Sequence, residues 1–188
     1  MAITAHHGPG LPNPVQTLFE RMGLPGTDFA GLSGPLGVTP RDTLHVQGTL
    51  KLHHYRPMCE SVYRTPVLIV TSIVNQPYIL DLVPGQSMVE SLLQQGFDVY
   101  LIEWGRPRRE HSTLTLEDLV LERLQRCVAR VLEHSGERSL TMVGYCLGGF
   151  LAALFASRVP PAPKGPLRNL VCIATPVNSD GLQSLKAW

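Results

Sequence analysis

Apolar and polar positions follow two alternating periods along this chain. Residues 43–47 and 49–55 alternate around Gly48, which predicts two antiparallel strands. Residues 67–70 form an unbroken apolar run, the pattern of a strand covered on both faces. Residues 86–95 predict a helix ended by Gly96, and residues 97–102 a second buried strand. Thr115 and Asp118 have the spacing of a helix-capping pair. Val120, Leu124, Cys127, Val128, Val131 and Leu132 then mark one helical face, which Gly136 closes. Residues 140–143 predict a third buried strand, residues 147–158 another helix, and residues 170–174 a fourth strand. Strands that alternate with helices imply an α/β fold, with a mostly parallel sheet and helices on both faces. Such sheets carry their chemistry at the carboxyl ends of the strands.

The first 40 residues break this rhythm. They hold 6 prolines and 7 glycines, too many helix and strand breakers for a packed domain. Residues 1–40 therefore read as a Pro/Gly-rich arm, in which residues 15–22 form a short amphipathic piece able to dock as a helix. His6 and His7 read as part of a solvated tail. Residues 41–188 read as the N-terminal portion of a catalytic domain.

Composition narrows the class. Of 188 residues, 44% are hydrophobic and 16% charged, which excludes a chain disordered throughout. A net charge of +1 implies no broad face for nucleic acid. No apolar run approaches the ~18 residues of a membrane span. The first residues lack a basic stretch followed by an apolar one, so the expected location is the cytoplasm. Cys59, Cys127, Cys146 and Cys172 form no CxxC pair or Cys/His cluster, so no metal site is expected and the thiols should be free. Cys127 and Cys172 read as buried small hydrophobes, and Cys59 falls in a loop.

Cys146 is different. Gly144-Tyr145-Cys146-Leu147-Gly148-Gly149 joins the third buried strand to a helix. This is the nucleophile-elbow pattern, G-x-S-x-G, with cysteine in the serine position. A sharp strand-to-helix turn presses the residues two before and two after the nucleophile together, so Gly144 and Gly148 suit it, and Gly149 lets the helix pack on the strand. The helix N-terminus favours a thiolate and negative charge on a substrate oxygen. The competing reading is a chance cluster of glycines. One oxyanion donor would be the N–H of Leu147, and the other would come from the loop 71–77, where Val74 or Asn75 are the candidates. A thiolate that attacks a thioester yields another thioester and keeps the acyl group activated, which points to acyl transfer from a CoA-type thioester.

The base is harder to find. The chain after Cys146 has no histidine and one acid, Asp180. His53, His54, His111 and His134 read as surface residues, and Arg106, Arg108, Arg109 and Glu110 as a solvated loop whose alternative role is to meet phosphates. The fourth strand would be left as an unpaired apolar edge, so the expectation is a fragment of a longer enzyme, without independent activity as the chain is given.

At this point the chain resembles the poly(3-hydroxyalkanoate) synthases. The likeness spans residues 39–182. It is carried by Asn75-Gln76-Pro77-Tyr78-Ile79-Leu80-Asp81-Leu82, by Gly96-Phe97-Asp98-Val99-Tyr100-Leu101-Ile102-Glu103-Trp104-Gly105, by the elbow, and by Thr175-Pro176-Val177. The form around Glu103 and Trp104 is similar to the shorter synthases that work with a second subunit. The resemblance implies an α/β-hydrolase fold and a Cys-His-Asp triad acting on (R)-3-hydroxyacyl-CoA. It implies a growing polyester chain as product, no cofactor beyond the CoA thioester substrate, and a location on polyester granules. Cys146 matches the nucleophile, and Val74 and Leu147 match the backbone oxyanion donors. The family's downstream Asp and His have no counterpart here. Gln76 stands where a basic residue is common, and Glu103 where Asp is common. A thioesterase or esterase, and a non-catalytic remnant, are the alternative readings.

Overall fold

A computed structural model describes residues 35–177. The segment 15–22, His6, His7, Asp180 and Leu182 lie outside the described residues. The strands are β1 (Arg41–Gln47), β2 (Leu50–Tyr55), β3 (Val67–Val70), β4 (Asp81–Val83), β5 (Gln86–Ser87), β6 (Val99–Glu103), β7 (Leu140–Tyr145) and β8 (Leu167–Ile173). The helices are α1 (Met88–Gln94), α2 (Gln125–Ser135) and α3 (Leu147–Ala156).

Six strands form one sheet in the order β1-β2-β6-β3-β7-β8. β2 pairs antiparallel with both β1 and β6, while β6, β3, β7 and β8 are mutually parallel. The α/β expectation holds, with helices on both faces. On one face α2 and α3 bury Cys127, Val128, Val131, Leu151 and Phe155 against Leu68, Val70, Tyr100 and Met142. On the other, Val89 and Leu93 of α1 pack on Val67, Ile69, Val99, Leu101 and Val143. β3 is buried at every position, as a central strand between two helical layers must be.

Several boundaries differ from the sequence expectation. The helix expected over 86–95 begins at Met88, because Gln86 and Ser87 pair with β4 in a small hairpin. Ser87 then caps α1, its hydroxyl accepting the Glu90 N–H at 3.0 Å. Asp81 at the base of that hairpin is buried and accepts hydrogen bonds from the Thr39 and Ser87 hydroxyls. The Thr115–Asp118 pair caps its helix reciprocally, at 2.7–3.1 Å. The stretch Asp118–Leu124 is wound as a wide π-helix, which periodicity did not anticipate, although Val120 and Leu124 still face the core. Cys172 is exposed, not buried. β8 is the outermost strand of the sheet among the described residues, and Leu170 and Val171 beside it are also exposed.

His53 is a further correction: it is buried, not on the surface. Its Nε2 lies 2.9 Å from Glu103 Oε2 and its Nδ1 3.1 Å from Thr43 Oγ1. Burial lowers its pKa below the ordinary 6.5, against the opposing pull of Glu103. Below pH 6.5 the unfolded chain therefore takes up a proton that the folded chain resists, so this site loses stability as pH falls through that value. Unfolding midpoints measured on either side of it should fall with acidification, and His53→Gln should flatten that slope. An unchanged slope would refute the assignment.

Candidate active site

Register brings the carboxyl ends of the parallel strands level. Val70 of β3 pairs with Gly144 of β7 and with Ile102 of β6, and Gly144 pairs with Cys172 of β8. The chain leaving β3 at Thr71 and the chain leaving β7 at Cys146 thus emerge side by side.

Cys146 is a sharp turn between β7 and α3. Its φ of 54° and ψ of −126° lie in a region that side chains avoid. It sits at the N-cap position of α3, with its N–H donating to the Ile173 carbonyl at 2.9 Å and its carbonyl accepting from the Gly149 N–H at 2.9 Å. These bonds hold the strained residue between β8 and the first helical turn. Ala174, just beyond β8, also has a positive φ of 50°.

The three glycines are required by space, and the expected closeness of Gly144 and Gly148 holds: a Cβ on Gly144 would lie 2.9 Å from the Gly148 carbonyl. Gly149 comes closer still: a Cβ on Gly144 would lie 2.3 Å from the Gly149 α-carbon. Gly148 also packs on the end of β3, where a Cβ would lie 2.1 Å from the Val70 carbonyl and 2.4 Å from that of Thr71. A Cβ on Gly149 would meet the Thr175 hydroxyl at 1.9 Å. The two-before, two-after rule counts along the turn, so it does not reach the contacts of Gly148 with β3 and of Gly149 with Thr175. The helix start is also pressed onto the neighbouring strands β3 and β8.

Cys146 and Leu147 are partly exposed. As the first residue of α3, Leu147 has an N–H that no helical carbonyl reaches, and it points with the positive end of the helix dipole. In the loop after β3, Thr71 and Ser72 are buried, while Val74 is 68% exposed. The Val74 N–H donates to Ser72 Oγ at a long 3.4 Å. A cavity of about 300 Å³ beside this loop is lined by Ile73, Val74, Trp104, Pro107, Leu114 and Arg123, among others.

His53, His54, His111 and His134 are engaged elsewhere. His53 and His54 lie on β2, separated from β7 by two strands, and His54 bonds Asp98 at 2.7 Å. His134 bonds the Tyr100 hydroxyl at 2.8 Å. His111 accepts from the Arg108 N–H. Arg106, Arg108 and Arg109 are exposed, and the Glu110 side chain lies outside the described residues. No helix among the described residues is long and apolar enough to cross a membrane.

Residues 65–187 match the family model described as alpha/beta hydrolase fold. The chain belongs to that family. Residues 32–92 match the model for the N-terminus of poly-beta-hydroxybutyrate polymerase (PhaC). The chain is 44% identical over 125 residues to the poly(3-hydroxyalkanoate) polymerase subunit PhaC of Haloferax mediterranei, covering 66% of this chain and 25% of that protein. It is 38% identical over 143 residues to the subunit of the same name from Synechocystis sp., covering 76% of this chain and 37% of that one. The similarity to the polymerases seen in the sequence is thus supported, and the chain spans well under half the length of these relatives. Among solved structures it is similar to the Francisella virulence factor BioJ, with a TM-score of 0.56 and 13% identity over 87% of this chain and 51% of that one. At that identity the likeness is one of fold alone.

The sequence reading did not anticipate that Trp104 lines the cavity beside the loop after β3. Its signal was the segment Glu103-Trp104-Gly105 at the carboxyl end of a parallel strand.

Proposed function

We propose that this chain carries the nucleophile and the oxyanion donors of an acyltransferase that builds polyester from (R)-3-hydroxyacyl-CoA. The observation that carries the reading is a cysteine in strained elbow geometry, at the N-terminus of α3, in a chain similar to polyhydroxyalkanoate polymerases. The thiolate of Cys146 attacks the thioester carbonyl carbon. The carbonyl oxygen takes up negative charge, which the N–H groups of Leu147 and Val74 stabilise. The bond to the CoA sulfur then breaks, CoA leaves, and the hydroxyacyl group remains as a thioester on Cys146. Attack by a hydroxyl on that thioester forms the ester bond and returns the thiolate. In the family pattern a histidine moves these protons, and no residue after Cys146 in this chain matches it. CoA enters as a substrate, not as a cofactor. The relatives are named as subunits, which extends the proposal to a partner subunit, and a polyester product would place the enzyme at the surface of polyester granules.

The test is incubation with (R)-3-hydroxybutyryl-CoA, followed by peptide mass mapping and a thiol assay for CoA. The expected result is a hydroxyacyl group on the Cys146 peptide, stoichiometric CoA, and loss of both in Cys146→Ala. Labelling that survives in Cys146→Ala would overturn the nucleophile assignment. Continuous release of free hydroxy acid would mark a thioesterase instead.

A further inference from the structure

The loop that carries Val74 leaves β3 at Thr71, and two hydrogen bonds tie that point to the end of β6. The Trp104 indole N–H donates to the Thr71 carbonyl at 2.8 Å. The Thr71 hydroxyl donates to the Ile102 carbonyl at 2.6 Å. Both side chains are buried. The same Thr71 carbonyl is one of the atoms against which Gly148 packs. One carbonyl is therefore the take-off of the Val74 loop, the acceptor for Trp104, and part of the seat for the first turn of α3. The two candidate donors, Val74 and Leu147, diverge from this point on separate elements. Their spacing depends on where that carbonyl is held. The wall of the adjacent cavity is shared by Trp104, Ile73 and Val74, so the indole also backs the loop itself.

We propose that Trp104 is a positioning residue for the oxyanion site. Its indole N–H pins the Thr71 carbonyl and so sets the distance between the Val74 and Leu147 N–H groups. Trp104 touches no reacting atom and acts through Thr71. The inference rests on the reading of Cys146 as nucleophile and Val74 as donor.

Two reactions of the same thiol separate positioning from general structure. Iodoacetamide is attacked at a saturated carbon: a C–S bond forms, iodide leaves, and no oxyanion appears. With the phenyl thioester of 3-hydroxybutyric acid, the Cys146 sulfur bonds to the carbonyl carbon and the oxygen becomes negative. The bond to the phenyl-bearing sulfur then breaks and thiophenolate leaves. Both are read on the Cys146 peptide, because Cys59 and Cys172 are also free thiols. The variants are Trp104→Phe and a site-specific replacement of Trp104 by benzothienylalanine, which keeps the bicyclic shape but has no N–H. We expect acylation of Cys146 to fall about tenfold to a hundredfold in both, with alkylation unchanged. Equal loss in both reactions would reduce Trp104 to a packing role and overturn the proposal. So would a benzothienylalanine variant that acylates like the parent. A parent chain that alkylates at Cys146 but takes no acyl group would overturn the acyl-transfer reading itself, and the positioning role with it.

Discussion

Replacing Cys146 with glycine is expected to abolish acylation and at the same time raise the unfolding midpoint. The loss follows from the missing sulfur. The gain follows from the backbone: at φ 54° and ψ −126° a Cβ is badly placed, and a non-glycine residue held there costs about 1–3 kcal/mol. Glycine adopts the same angles freely but loses more chain entropy on folding, roughly 0.5–1 kcal/mol. The balance is a net gain of about 1 kcal/mol, or a midpoint about 2–4 °C higher for a chain of this size. Cys146→Ala supplies the comparison, because alanine removes the sulfur and keeps the Cβ. It should lose acylation and gain no stability. Ala174→Gly, at φ 50°, should gain stability while the thiol keeps its reactivity. Equal midpoints for Cys146→Gly and Cys146→Ala, measured by thermal unfolding, would show that the elbow stores no strain. The expected pattern would mean that the tertiary structure holds the nucleophile in place against its own backbone preference.

That strain explains which parts of the site were legible in the sequence. The buried strands were legible because β3, β6 and β7 lie between two helical layers and need apolar residues at nearly every position. The elbow was legible because a tight turn admits few residue types, and Gly144, Gly148 and Gly149 show that limit directly. What they pack against was not legible. Gly148 answers to β3 and Gly149 to Thr175 after β8, contacts between segments far apart in sequence. The same holds for His53. Alternation put it on a strand, but its burial comes from Glu103 and Thr43 on the two flanking strands. Cys172 failed in the opposite direction: an apolar strand run predicts burial only where the strand has cover, and β8 has a partner on one side among the described residues. Trp104 was read as part of a family segment, while its indole bond to Thr71 depends on the Val70–Ile102 register that only the assembled sheet supplies.

Gly148→Ala is expected to destabilise the fold strongly and to disturb the elbow with a single methyl group. The added carbon would lie 2.1 Å from the Val70 carbonyl and 2.4 Å from the Thr71 carbonyl, backbone atoms at and just past the end of a central strand that cannot rotate aside. Either α3 lifts off the sheet or the end of β3 moves. Overpacking of this kind costs about 3 kcal/mol, which corresponds to a midpoint roughly 6–12 °C lower. Gly136→Ala is the informative contrast. Gly136 has φ 70° and nothing within 4 Å of its missing Cβ, so alanine there meets only the left-handed backbone penalty, about 1 kcal/mol. It should leave acylation of Cys146 intact. Gly148→Ala should depress acylation more than alkylation, because the carbonyl it displaces is the take-off of the Val74 loop. Similar midpoints for the two variants would show that α3 does not seat on β3 as tightly as the geometry requires. A large loss of stability with acylation and alkylation reduced alike would separate the fold's need for this glycine from any role in the oxyanion site.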